Sequence, residues 1–166
     1  MRVASSRLAL TLALFIPNAM LPAQTTLGVS AGVATYDLSG TGNTRVYSAW
    51  LGTPIAGSRY VSTELGVATF NYRTQGNTRR THWLPEAMLQ AELPLRRIQP
   101  YLGAGLGASL TSGSSAVATV SGALGARALF GTNWIGRGEL RVRVIDPWVG
   151  TTADWTIGIG RRFGGR

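Results

Sequence analysis

The 166-residue sequence contains no cysteine and no lysine, and only one histidine, His82. Without cysteine there is no disulfide-stapled domain and no thiol nucleophile, and one histidine alone makes no transition-metal constellation. Without lysine the glycine-rich stretches are not phosphate loops, which need a lysine after the glycines. Long apolar runs are also missing beyond residue 16, because glycine, arginine or a carboxylate interrupts every later apolar stretch. No later segment is therefore a transmembrane helix, and a chain of this kind can cross a bilayer only as a closed barrel that satisfies its own backbone groups. Acidic residues are scarce, seven against sixteen arginines, for a formal charge of +9. That balance raises nucleic-acid binding, but the arginines are scattered along the chain with no basic helix or recognisable module, which argues against it.

What is present begins with a leader. Arg2 and Arg7 flank a basic start, residues 8–16 are apolar, Pro17 and Asn18 break the run, and Leu21, Pro22 and Ala23 precede Gln24. This is the layout of a secretory signal peptide ending at Ala23, too short to span a membrane. Residues 24–166 then form one domain, with room for eight strands of about 9–11 residues, the smallest transmembrane barrel.

The stretch 99–110 states the rule for the rest. Leu102, Ala104, Leu106, Ala108 and Leu110 point one way, and Tyr101, Gly103, Gly105, Gly107 and Ser109 the other. Only an extended strand alternates faces so, and a glycine-bearing second face suits a wall curving around a crowded interior, with the apolar face toward lipid. The same alternation predicts strands at about 26–36, 44–52, 60–72, 83–93, 116–130, 134–145 and 154–163. The second of these is too weakly patterned to assign faces. In the fourth, Pro85 implies either a bulge or a later start, because proline cannot donate to a ladder.

Two groups of side chains follow from the parity. Glu64, Glu86, Glu92 and Glu139 share the inner face with Arg127, Arg137, Arg141 and Arg143. An eight-stranded barrel is just wide enough for its own side chains. Buried charges there are expected to pair in an ion-pair and hydrogen-bond lattice, since an uncompensated one is costly. The second group is aromatic: Trp50, Tyr60, Tyr72, Trp83, Tyr101, Phe130, Trp134, Trp155 and Phe163, with Phe70, lie near segment ends. Membrane barrels girdle both interfaces with aromatics, so these are read as the girdle.

On these residues the chain resembles the superfamily of small eight-stranded outer-membrane β-barrels that includes the OmpA transmembrane domain. The run from Pro100 to Gly107 is similar to a recurrent strand of that group, and Thr156, Gly158 and terminal Phe163 resemble its assembly signal, although Arg161 stands where a hydrophobic residue is usual. The resemblance implies an antiparallel up-and-down barrel in the outer membrane of a Gram-negative-type envelope, inserted by the barrel-assembly machinery. It also implies a periplasmic N-terminus, with outer loops near 37–43, 73–80, 111–115 and 146–153. Arg73, Arg79 and Arg80 would then lie where lipopolysaccharide phosphates are in reach.

Function is less legible. The expectation is a structural or interaction protein with a packed polar interior, no cofactor, no metal and no catalysis. A narrow porin-like channel and a soluble lipocalin-like carrier of an apolar ligand are the alternatives. Some barrels of this family modify lipid A, which directs attention to His82. A histidine-dependent hydrolase also needs a nucleophile and an orienting acid, and Thr81 and Trp83 supply no serine, so one would have to arrive from another strand. His82 is expected to be an interfacial polar residue near a strand end.

Overall fold

The computed structural model describes residues 24–36, 42–73, 79–95, 97–111, 114–145 and 150–164. The predicted leader, 1–23, lies outside them. Period-two alternation draws the chain into eight antiparallel strands: β1 (Thr25–Tyr36), β2 (Gly42–Pro54), β3 (Val61–Arg73), β4 (Arg79–Glu92), β5 (Ile98–Thr111), β6 (Val117–Phe130), β7 (Trp134–Ile145) and β8 (Gly150–Phe163). Each pairs with the next, and β1 pairs with β8 without a break from Thr25↔Phe163 to Tyr36↔Thr152. Closure leaves no free edge, which is what a bilayer requires of a sheet. The connections after β2, β4 and β6 gather at one end with the start of β1 and the close of β8, here the turn end. The other four connections mark the loop end.

Most strand limits fall within two residues of those expected from sequence. Two do not. β4 begins four residues before the expected start and contains Pro85 without a bulge. Its ladder to β5 stops at Trp83↔Leu110 and resumes at Glu86↔Gly107 in the same register, while Pro85 still pairs with Val67 of β3. The missing N–H therefore costs a rung pair on one side and leaves the register intact. β8 begins at Gly150, so the expected outer loop 146–153 is strand over its second half.

The outer face is a belt of exposed aliphatic side chains, among them Leu65, Leu102, Leu106, Val120, Leu124 and Ile157, with Leu106 and Ile157 at 68 % and 69 % exposure. A water-soluble surface rarely carries a contiguous apolar patch of this extent. β2, unassigned from sequence, places Val46, Trp50 and Gly52 inward and Arg45 and Tyr47 outward.

The interior is layered along its axis. At the loop end, Ala34, Val46, Ala68, Phe70, Leu84 and Ile145 form a buried apolar plug, flanked by Tyr36 and Val117. Burying a side chain such as Phe70 or Leu84 contributes about 1.5–3 kcal/mol. Below the plug lies a layer of charged side chains, and at the turn end a polar cavity.

Candidate functional site

The charged layer is built by parity. Alternate residues of β7 send Arg137, Glu139, Arg141 and Arg143 inward, and β3, β4, β6 and β8 answer with Glu64, Glu86 and Glu92, Arg127 and Asp154. Glu64, 1 % exposed, is the hub. Arg137 donates to both its oxygens, Nη1 to Oε2 at 2.7 Å and Nη2 to Oε1 at 3.0 Å, as a guanidinium fork on a carboxylate. Arg141 Nη2 donates to Glu64 Oε1 at 2.8 Å, Gln90 Nε2 to Oε2 at 3.1 Å, and Arg127 Nη2 to Oε2 at 3.4 Å.

The network extends toward both ends. Glu139 accepts from Arg137 and from Arg141. Glu86 accepts from Arg141 and from a second fork, Arg143 Nε at 3.2 Å and Nη2 at 2.7 Å. Arg143 also pairs with Asp154. Toward the turn end, Glu92 accepts from Arg127 Nη1 at 2.6 Å and from Ser62, and Arg127 donates to Gln90. All eight charged residues expected inside are thus brought into one network. Sequence reasoning left out Asp154, Gln90, Ser62 and Tyr101. Asp154, the first residue of the expected eighth strand, shares parity with Thr156 and Gly158, which places it on the inner face.

Two aromatics assigned to the girdle belong to this interior instead. Trp50 and Tyr101 are each 3 % exposed. The Tyr101 hydroxyl donates to Glu139 Oε2 at 2.6 Å and accepts from Arg137 Nε at 2.8 Å, and Trp50 Nε1 donates to Ser30 Oγ at 3.2 Å. Arg137 lies over the Trp50 ring at 4.7 Å and Arg127 over the Tyr101 ring at 4.6 Å, so each ring faces a cation. Glycine makes room for both. A Cβ on Gly28 would lie 2.3 Å from the Trp50 ring, and one on Gly125 2.4 Å from the Tyr101 hydroxyl. Phe70 also points inward, into the plug. Tyr60, Trp83, Phe130, Trp134 and Trp155 are exposed on the outer surface and Phe163 is partly so, while the Tyr72 side chain lies outside the described residues. On β8, Thr156 and Gly158 face inward and Arg161 outward, its guanidinium over the Phe163 ring at 5.6 Å.

His82 is half-buried and stacks on Phe70, ring centroids 5.2 Å apart. A serine does arrive from another strand: Ser109 Oγ of β5 lies 2.9 Å from Nδ1, and Thr111 Oγ1 lies 3.1 Å from the same atom. Ser109 is buried beside the plug, so the pair has the spacing of a hydrogen-bonded dyad without an open approach to its oxygen. Arg80, one of the loop-end arginines, donates to Ser114 at 3.3 Å; the side chains of Arg73 and Arg79 lie outside the described residues.

The charged layer leaves little free space. A cavity of about 10 Å³ lies among Trp50, Glu64, Glu86 and Arg141, and one of about 90 Å³ opens at the turn end. Neither is lined for an apolar ligand, in contrast to the lipocalin-like alternative.

No protein-family model matches the sequence, and no curated protein matches it. Solved structures do share the fold. Neisserial surface protein A superimposes with a TM-score of 0.72 at 14 % identity, covering 84 % of this chain and 97 % of that one. Ail, the attachment invasion locus protein of Yersinia pestis, gives 0.60 at 12 % identity over 86 % and 100 %. The N-terminal β-barrel domain of Pseudomonas aeruginosa OprF gives 0.54 at 16 % identity over 86 % and 100 %. The chain has the fold of the small eight-stranded outer-membrane β-barrels. Its belt of exposed aliphatic side chains is the face that a transmembrane barrel turns toward lipid.

Proposed function

We propose that the protein is an outer-membrane barrel of structural or interaction type whose interior is a load of paired charges rather than a passage. The observation that supports this most is the Glu64 hub. Its carboxylate accepts from Arg127, Arg137, Arg141 and Gln90, side chains of three different strands that meet across the lumen, and the plug lies above them. A path for solutes would have to break several of these charge-assisted bonds at once. The export leader, insertion by the assembly machinery, and lipid or lipopolysaccharide as the surrounding partner belong to the same reading. The absence of catalysis belongs to it as well, on the ground that Ser109 is sealed.

Cell fractionation followed by gel electrophoresis with and without boiling tests the envelope part. An outer-membrane band that shifts on heating is expected; a soluble band with no shift would sink it. Liposome swelling tests the closed interior: vesicles carrying the barrel are expected to exclude arabinose as protein-free vesicles do, and swelling in proportion to protein would favour the porin-like alternative.

A further inference from the structure

The turn-end cavity has a composition that the packed lattice above it lacks. Its lining includes Ser58, Arg59, Glu92, Gln99, Arg127 and Arg162, and its volume is about 90 Å³. The one carboxylate there, Glu92, is already engaged by Ser62 and Arg127. Ser58 Oγ accepts from the backbone of Tyr60 and Val61, which leaves its hydroxyl proton free to donate. The guanidinium groups of Arg59 and Arg162 make no ion pair among the described residues, and Arg127 and Arg162 each hold a buried Nε–H without an acceptor. Buried donors in this state call for an occupant that accepts. Donors therefore outnumber acceptors around a space open to solvent beside exposed Arg59.

Charge counting points the same way. Among the described residues, the interior and its turn-end mouth hold six guanidiniums, Arg59, Arg127, Arg137, Arg141, Arg143 and Arg162, against the five carboxylates of Glu64, Glu86, Glu92, Glu139 and Asp154. One negative charge restores balance. Exposed Arg97 and Arg161 at the same end add to the positive field that draws an anion in.

We propose that this cavity is an oxyanion site, formed by Arg162 and Arg59 with help from Ser58 and Gln99, that takes a phosphate group. Guanidinium forks suit phosphate oxygens, and the space admits a compact group rather than a chain. The phosphate is either free in the periplasm or the headgroup of an anionic lipid in the facing leaflet.

Calorimetric titration of the folded barrel in maltoside micelles with inorganic phosphate, at constant ionic strength, tests the site. Saturable one-to-one binding is expected, weakened at least about tenfold, or about 1.4 kcal/mol, in Arg162→Gln. Arg59→Gln, at an exposed position that tolerates change, is expected to weaken it too, and serves if the first variant does not fold. Arg45→Gln, outward on β2 near the loop end, is expected to bind as the unaltered chain does. Repeating the titration in nanodiscs separates the sources. Loss of phosphate binding with phosphatidylglycerol but not with phosphatidylcholine identifies a lipid headgroup, and retention in both identifies free phosphate. No saturable heat, or binding unchanged in both Arg162→Gln and Arg59→Gln, would overturn the proposal.

Discussion

The loop-end plug and the charged layer beneath it fill the same barrel by opposite physics. The plug needs only volume and apolar area: Phe70, Leu84 and Ile145 pack without any partner atom being specified. The charged layer needs completeness, because each guanidinium there is tolerated only while its carboxylates stay in place. One region is set by how much is buried, the other by what faces what. The plug should therefore forgive changes of shape that keep volume, and the lattice should not forgive changes of geometry that keep charge.

Removing the hub is expected to have the largest effect. Glu64→Ala leaves Arg137 and Arg141 each short of a carboxylate and is expected to cost about 3–5 kcal/mol in urea unfolding. In the plug, Leu84→Ala opens a cavity and is expected to cost about 2–5 kcal/mol, toward the lower figure if the neighbouring Ala34 and Ala68 close in. The comparison is sharpened by the conservative pair. Leu84→Met is expected to stay under about 1.5 kcal/mol. Arg137→Lys should exceed it, since an ammonium cannot hold the fork on Glu64, the bond to Tyr101 and the face of Trp50 together. Equal losses for the two would break the distinction. On the outer face, Leu106→Arg is expected to cost about 2–4 kcal/mol for the barrel folded in bilayers. Gly28→Ala sets a methyl against Trp50 and is expected to cost about 1–3 kcal/mol.

The difference between the regions also accounts for what sequence could and could not reveal. Strand existence, the apolar outer face and the inward charges on β3, β4, β6 and β7 were legible, because period-two parity reports direction directly. Trp50 and Tyr101 lie inside although both stand near a segment end, because parity and not nearness to an end sets the face. Tyr101 stands in phase with Gly103, Gly105 and Gly107, which already placed it inside. Trp50 offered no such help, since β2 alternates weakly and only its contacts to Ser30 and Arg137 fix its side. Asp154 heads the expected β8 in phase with Thr156 and Gly158, and only its pairing with Arg143 across the lumen marks it as a member of the lattice. The plug had no sequence signal of its own, because Ala34, Val46 and Ala68 are ordinary strand residues until closure brings them together.

Whether the paired interior closes the barrel is the central claim, and planar-bilayer recording of the unaltered protein tests it most directly, with Glu139→Ala beside it. A flat baseline is expected for the unaltered chain, with anion-selective steps or a lost fold in Glu139→Ala, where Arg137, Arg141 and the Tyr101 hydroxyl lose a common acceptor. Steady ohmic steps from the unaltered barrel would contradict the claim.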